Sequence, residues 1–177
     1  MNTQMFENPI VQDNLKKLEH YGYEVIQPAV GLLACKDVGQ GKMPEPETLL
    51  EYILQEVAYE KNLKGKKILV TAGPTQEPID PVRYLTNHSS GKMGYAIAKV
   101  CSMRGAEVTL VSGKTAIKPP LFVDVVPVTT AREMYEAVTG RSDRQDIVIK
   151  AAAVADYRPK TISEQKVKKT DGELSIE

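Results

Sequence analysis

The sequence predicts an α/β protein built on a doubly wound, mainly parallel sheet. Three observations predict it. From residue 67 onward, apolar runs at 67–71, 107–112, 122–128 and 146–151 alternate with helix-like segments in the order β-α-β-β-α-β. The runs (KILVT, EVTLVS, FVDVVPV, DIVIKA) are hydrophobic enough for strands buried on both faces. The chain of 177 residues, 42% hydrophobic and 26% charged, has room for one ordinary domain or two small ones.

The elements follow in order. The rhythm changes near residue 65, which divides the chain into segments 1–64 and 65–177. In the first, Ile10, Val11, Leu15 and Leu18 fall at helical spacing, and Tyr21-Gly22 stops that helix. Residues 23–26 are a short strand candidate, and residues 28–46, punctuated by glycine and proline, read mostly as loop. Glu45-Pro46-Glu47 opens a second helix, because proline suits a first turn and acidic residues favour the positive end of the helix dipole. Leu49, Leu50, Ile53, Leu54 and Val57 form its apolar stripe, and residues 61–67 end it as a linker. In the second segment, the run at 67–71 leads into a long polar loop, 72–90. Ser89 or Ser90 then caps a helix over 91–104, closed by Gly105. Pro127 ends the third run, and Thr129 or Thr130 caps a helix through residue 138. No repeat or low-complexity stretch is visible.

Composition excludes several classes. Lys plus Arg and Asp plus Glu both number 23, so the basic excess of a nucleic-acid-coating protein is missing. No apolar run reaches the ~18 residues that span a bilayer, which argues against a membrane partner. The N-terminus has neither a basic region nor an apolar core of a secretory signal. Cys35 and Cys101 are too few for a disulfide framework, and no Cys/His cluster has zinc spacing. The expected compartment is the cytosol (a cytoplasmic protein), with both thiols reduced.

In an open α/β sheet, ligands sit beyond the carboxyl ends of the strands, so the loops 72–90, 112–120 and 152–169 should cluster. The first, within TAGPTQEPIDPVRYLTNHSSGKMG, is long enough to suggest function. Its end, Asn87-His88-Ser89-Ser90-Gly91-Lys92, offers hydroxyls, an amide and backbone N–H groups to a phosphate or carboxylate. A capped helix start without a ligand is the plainer alternative. Walker A is excluded, because Met93 follows Gly91-Lys92 and Thr86 stands where the first glycine should be. The G-x-G-x-x-G fingerprint is broken at Gly73-Pro74-Thr75, which disfavours a standard NAD domain.

The last loop carries Asp156, Tyr157, Arg158, Lys160 and Lys166-Val167-Lys168-Lys169. These lysines could neutralise a polyphosphate or form a solvated basic turn. Ala151, Ala152 and Ala153 are small enough to let a flat base or ribose approach the backbone, or are plain packing. Cys35, in a glycine-rich loop, is a candidate proton donor or nucleophile, with a structural role as the alternative. Cys101 reads as core, His20 as surface, and His88 as either a ligand contact or a cap contact.

At these residues the chain resembles two known families. Thr71 to Thr75 (TAGPT), Asp80 to Tyr84 (DPVRY), Asn87 to Gly94 (NHSSGKMG) and Ala152 to Tyr157 (AAVADY) are similar to phosphopantothenate–cysteine ligase. Met1 to Met5 with Asn8-Pro9, and LACKDVGQGKM with Glu45-Pro46, are similar to the C-terminal part of phosphopantothenoylcysteine decarboxylase. The two families occur fused, decarboxylase first, in a bifunctional protein of coenzyme A synthesis. The resemblance implies a Rossmann-like ligase part over 65–177, preceded by a partial α/β flavoprotein segment over 1–64. It implies small-molecule substrates: CTP activates 4′-phosphopantothenate as an acyl-cytidylate, and the amine of cysteine displaces the nucleotide. It places Asn87 on that intermediate, Ala151, Ala152, Ala153 and Asp156 in the cytidine pocket, and Lys166 on the nucleotide phosphate. Mg²⁺ is expected with CTP, from ligands the sequence does not name. For the decarboxylase it implies FMN, with Cys35 as proton donor and Asn2 on the substrate carboxylate. It also implies a homo-oligomer. In these families the FMN segment and an active-site histidine precede the position of Met1, and the ligase continues past that of Glu177. Both halves are therefore expected to be incomplete, with an open sheet edge that promotes association.

Overall fold

The computed structural model describes residues 1–167, so Lys168 and Lys169 lie outside the described residues. The chain forms two compact units, Met1–Leu54 and one that begins at Gln55.

The first unit opens with α1 (Thr3–Glu7), which the sequence reading missed. Its N-cap is Asn2, whose side-chain oxygen accepts the Met5 N–H at 2.8 Å. Asn8 caps α2 (Pro9–His20) in the same way, accepting from the Ile10 N–H at 2.9 Å with Pro9 in the first turn. Helix α2 ends at Tyr21-Gly22, where Gly22 takes a φ of 87°, as anticipated. Two expectations are corrected. Residues 23–26 form no strand. The stretch read as loop holds an antiparallel hairpin, β1 (Ala29–Leu32) with β2 (Val38–Lys42). Its turn is closed by Leu33 N–H to Asp37 O at 2.8 Å and Lys36 N–H to Leu33 O at 2.9 Å. The signal was missed because Gly39 and Gly41 lie inside β2, where glycine ordinarily weakens a strand. Helix α3 (Pro46–Val57) begins at the predicted proline but stops before the predicted linker.

The second unit carries the parallel sheet. Its elements are β3 (Lys67–Ala72), β4 (Gln76–Pro78), β5 (Tyr84–Thr86), α4 (Lys92–Met103), β6 (Glu107–Ser112), β7 (Asp124–Pro127), α5 (Ala131–Ser142) and β8 (Ile147–Lys150). The spatial order is β7-β6-β3-β8, with every pair parallel. This is the predicted mixed α/β architecture. The central strand β3 is buried on both faces, as its continuous apolar run requires. On one side Ile68, Val70, Ala72, Val108 and Leu110 pack with Tyr95 and Ala98 of α4. On the other, Leu69 and Val111 pack with Val128, just after β7, and with Met134 of α5. Each fully buried aliphatic side chain here contributes about 1.5–3 kcal/mol over its exposed state.

Two helix starts differ in their chemistry. Thr130 caps α5, its hydroxyl accepting the Glu133 N–H, while the Glu133 carboxylate accepts the Thr129 N–H. The helix then runs to Ser142, four residues past the predicted end. Neither Ser89 nor Ser90 caps α4. Gly91 does so, at φ 77°, a left-handed conformation that glycine alone adopts without strain. Gly94 brings α4 onto the sheet: a Cβ there would lie 2.5 Å from the Ala72 Cβ and 2.9 Å from the Thr71 carbonyl oxygen. The long loop after β3 is not irregular throughout, because β4 and β5 pair within it.

Candidate active site

The order of connection reverses at β3. From β3 the chain moves outward to β6 and β7, then returns to β8 on the opposite side. Open α/β sheets take their ligands beyond the carboxyl ends of the strands at such a switch in strand order.

Buried hydroxyls stitch these two loops together. Thr71 Oγ1 accepts the N–H groups of Ala151 and Ala152 at 3.1 and 3.2 Å. Thr75, fully buried, accepts the Ala155 N–H at 2.9 Å. The ladder continues past the strands through Ala153 N–H to Gly73 O at 2.9 Å and Thr75 N–H to Ala153 O at 3.2 Å. The alanine run is thereby pinned against the TAGPT turn, and small side chains are what this approach admits.

Asn87 stands directly over that run. Its Nδ2 donates to the carbonyls of Ala153 at 3.1 Å and Val154 at 3.2 Å, yet the residue is exposed. With the nitrogen so engaged, Oδ1 is left for a ligand. Four predicted residues, Asn87 and Ala151 to Ala153, are thus brought together. Asp156 follows on the same loop and is exposed. Ala152 and Val154 also line an apolar cavity of about 400 Å³ with Met134, Tyr135 and Val138 of α5. A second cavity of about 510 Å³ lies beyond β6 and β7, lined by Ser112, Gly113, Lys114 and Thr115 over Tyr95. Its floor is a buried chain in which Thr115 Oγ1 donates to the Tyr95 hydroxyl at 3.0 Å and that hydroxyl lies 2.9 Å from Ser112 Oγ. His88 is exposed. Cys101 packs against the core, where burial pushes its thiol pKa up against the opposing Arg104 charge.

The sequence reading missed the carboxylates that hold the first loop. Glu77 is buried and accepts the Ala131 N–H at 2.8 Å, at the positive end of α5. Asp80 has a fully buried side chain. Its Oδ1 accepts the Val82 and Arg83 N–H groups, both at 2.8 Å. Its Oδ2 accepts Arg83 Nε at 2.9 Å, Arg83 Nη2 at 2.6 Å and the Val167 N–H at 3.1 Å. Burial alone would raise its pKa, but the Arg83 guanidinium and the Val82, Val167 and Arg83 N–H donors outweigh this. They hold the carboxyl well below the usual range, so it is ionised through neutral and mildly acid pH. The available signal was Asp80-Pro81-x-Arg83, an aspartate positioned to accept backbone N–H groups two and three residues on. Lys166 is exposed, next to the tethered Val167.

In the first unit, Asn2 and Cys35 line one cavity of about 360 Å³ with Leu33, Gly41 and Lys42. Cys35 is exposed, and its Sγ lies 3.5 Å from Asp37 Oδ2. Lys42 is paired with Glu45 at 2.6 Å. These residues offer an amide, a thiol and one ammonium group, and do not amount to a cradle for a flavin and its phosphate.

Comparison with known proteins places these features. The chain is 52% identical over 171 residues to a coenzyme A biosynthesis bifunctional protein CoaBC of Vibrio vulnificus, covering 97% of this chain and 42% of that protein. It is 45% identical over 180 residues to the CoaBC protein of Bacillus subtilis, covering 100% of this chain and 44% of that protein. It therefore spans less than half the length of these relatives. Among solved structures, the C-terminal domain of a CoaBC protein is 59% identical, with a TM-score of 0.55 over 60% of this chain and 56% of that one. A DNA/pantothenate metabolism flavoprotein from Streptococcus pneumoniae is 36% identical, with a TM-score of 0.51 over 54% of this chain and 42% of that one. Residues 1–58 match the flavoprotein family. Residues 63–177, which contain the sheet, the Asn87 loop and the alanine run, match the DNA/pantothenate metabolism flavoprotein C-terminal domain, and it is to this family that the chain belongs.

Proposed function

We propose that the second unit is the nucleotide-activating part of a phosphopantothenate–cysteine ligase, working in coenzyme A synthesis within a cytoplasmic homo-oligomer. The observation that carries this is the Asn87 amide bridging the loop after β3 to the carbonyls of Ala153 and Val154 on the loop after β8. In this reading the cytidine of CTP lies against Ala151, Ala152 and Ala153, with Asp156 at its polar edge. Lys166 neutralises the phosphate, and Asn87 orients the acyl-cytidylate. The carboxylate oxygen of 4′-phosphopantothenate attacks the α-phosphorus, and pyrophosphate departs. The cysteine amine then attacks the acyl carbon and expels CMP. The site's contribution is placement and preorganised charge, which need not reorganise as charge develops.

For the first unit we propose the substrate side of a phosphopantothenoylcysteine decarboxylase, with Asn2 toward the substrate carboxylate and Cys35 as proton donor. The shared cavity supports this pairing. FMN is the cofactor the family implies for the whole protein, and the residues lining this cavity do not fit it.

The test is pyrophosphate release from CTP with Mg²⁺ and 4′-phosphopantothenate, first without and then with cysteine. Release that depends on phosphopantothenate is expected. Asn87→Asp, which sets a carboxylate against the two carbonyls and breaks the tie that holds Asn87 in place, should reduce ligation by tenfold or more. CTP binding without pyrophosphate release would instead make the unit a nucleotide-binding module, and no binding would end the nucleotide reading.

A further inference from the structure

We infer that Asp80 is a positioning residue that latches the segment carrying Lys166 onto the site, an assignment that rests on the nucleotide reading above. The segment is held by polar ties. Thr161, Ile162, Glu164, Gln165 and Lys166 are all exposed, and Ile162 keeps 61% of its surface in water. Three hydrogen bonds join it to the turn after β4. Ser163 N–H donates to Ile79 O at 3.0 Å, Val167 N–H donates to Asp80 Oδ2 at 3.1 Å, and Arg83 Nη2 donates to Val167 O at 2.6 Å. Val167 is thus held at both its N–H and its carbonyl. The N–H belongs to the peptide unit that Lys166 itself closes, so the latch fixes the backbone immediately beside the lysine.

The two oxygens of Asp80 divide the labour. Oδ1 serves its own turn, accepting from Val82 and Arg83. Oδ2 serves the latch, accepting from Val167 and fixing the Arg83 fork that grips the Val167 carbonyl. An asparagine in the same rotamer keeps a carbonyl at Oδ1 and puts an NH₂ group at Oδ2, where it faces only donors. Asp80→Asn therefore releases the latch and leaves the turn, whereas Asp80→Ala removes both. Arg83→Lys keeps the charge and loses the fork, so it weakens the latch from the other side.

The experiment uses the full chain. Trypsin cleavage of the Lys166–Val167 bond is followed by mass spectrometry, with cleavage after Lys99 on α4 as the internal control, alongside thermal melting and CTP affinity. For Asp80→Asn, cleavage at Lys166–Val167 should rise by about tenfold relative to the Lys99 control, since local opening sets the rate of proteolysis. CTP affinity should fall by a similar factor, with the melting temperature close to that of the parent chain. Arg83→Lys should show a smaller effect of the same pattern. Unchanged cleavage at Lys166–Val167 in a folded Asp80→Asn chain would overturn the latch. So would a rise matched at Lys99, which would mark a general loss of stability. So would a freed segment with unchanged CTP affinity, which would show that the latch does not position Lys166. If the parent chain binds no CTP, the nucleotide reading fails by itself, and the cleavage comparison still decides whether the latch exists.

Discussion

At the residue scale, the site depends on hydroxyls that no local pattern marks. Thr75 has zero exposed surface and accepts a hydrogen bond from Ala155, 80 positions later. Thr75→Val keeps the shape and strands that N–H, so it should lower stability by about 1–3 kcal/mol. The check is a urea melt, with the midpoint reduced and the slope unchanged. A parental midpoint would show that the tie contributes nothing. The same contrast explains what the sequence revealed. Thr130 was a recognisable cap because its partner, Glu133, is three residues away. Asn87 and the alanine run were recognisable because they sit in long polar or small-residue stretches after strands. Thr71 and Thr75 were not, because their partners lie on a different loop, and Asp80 was legible only in part, since its turn is local but the Val167 N–H it accepts is 87 positions away.

At the element scale, two helical glycines with the same propensity cost should respond in opposite directions. On α4, Gly94 faces the Ala72 Cβ and the Thr71 carbonyl, and no Cβ fits between them. Gly94→Ala gains up to about 1 kcal/mol in helix propensity, but overpacking typically costs about 1–3 kcal/mol, so net destabilisation is expected. On α5, nothing lies within 4 Å of the Cβ that Gly140 lacks. Gly140→Ala should stabilise by about 0.5–1 kcal/mol. Thermal melts of the pair check both signs, and a stabilised Gly94→Ala chain would mean that α4 does not sit as closely on β3 as described. Cap and stop residues located both helices, but the departures came from geometry they do not carry. The start of α4 needed a left-handed residue rather than a hydroxyl, and the β1–β2 hairpin tolerated glycines that argued against a strand.

At the scale of the whole molecule, β8 is an edge strand among the described residues, paired only with β3. Ile147 and Val148 keep 41% and 38% of their surface exposed. The apolar cavity between α5 and the loop after β8 adds to this surface. An uncovered apolar edge favours association. Light scattering should therefore give a mass above the 19.5 kDa of one chain, rising with concentration. Val148→Lys should shift the distribution toward the monomer. A parent chain that stays monomeric at all concentrations would contradict this. The fold class and the strand sequence of the parallel sheet were legible beforehand, because βαβ connectivity constrains them. The neighbour of β3 on its open side was not, since strand order follows from pairing rather than from hydrophobicity.

The reversal at β3 also sets a schedule for synthesis. Strand β3 pairs with β8 from Ile68 with Ile147 to Thr71 with Lys150. A ribosome adding ~5–20 residues per second takes roughly 4–16 s to cover that separation. Throughout that interval one side of β3 has no neighbour, and the Thr71 and Thr75 hydroxyls have no alanine run to receive. The ties between the loops after β3 and β8 therefore form only once β8 and the alanine run have emerged. Until then, an emerging β3 is a natural client for whatever shields bare strands at the exit tunnel.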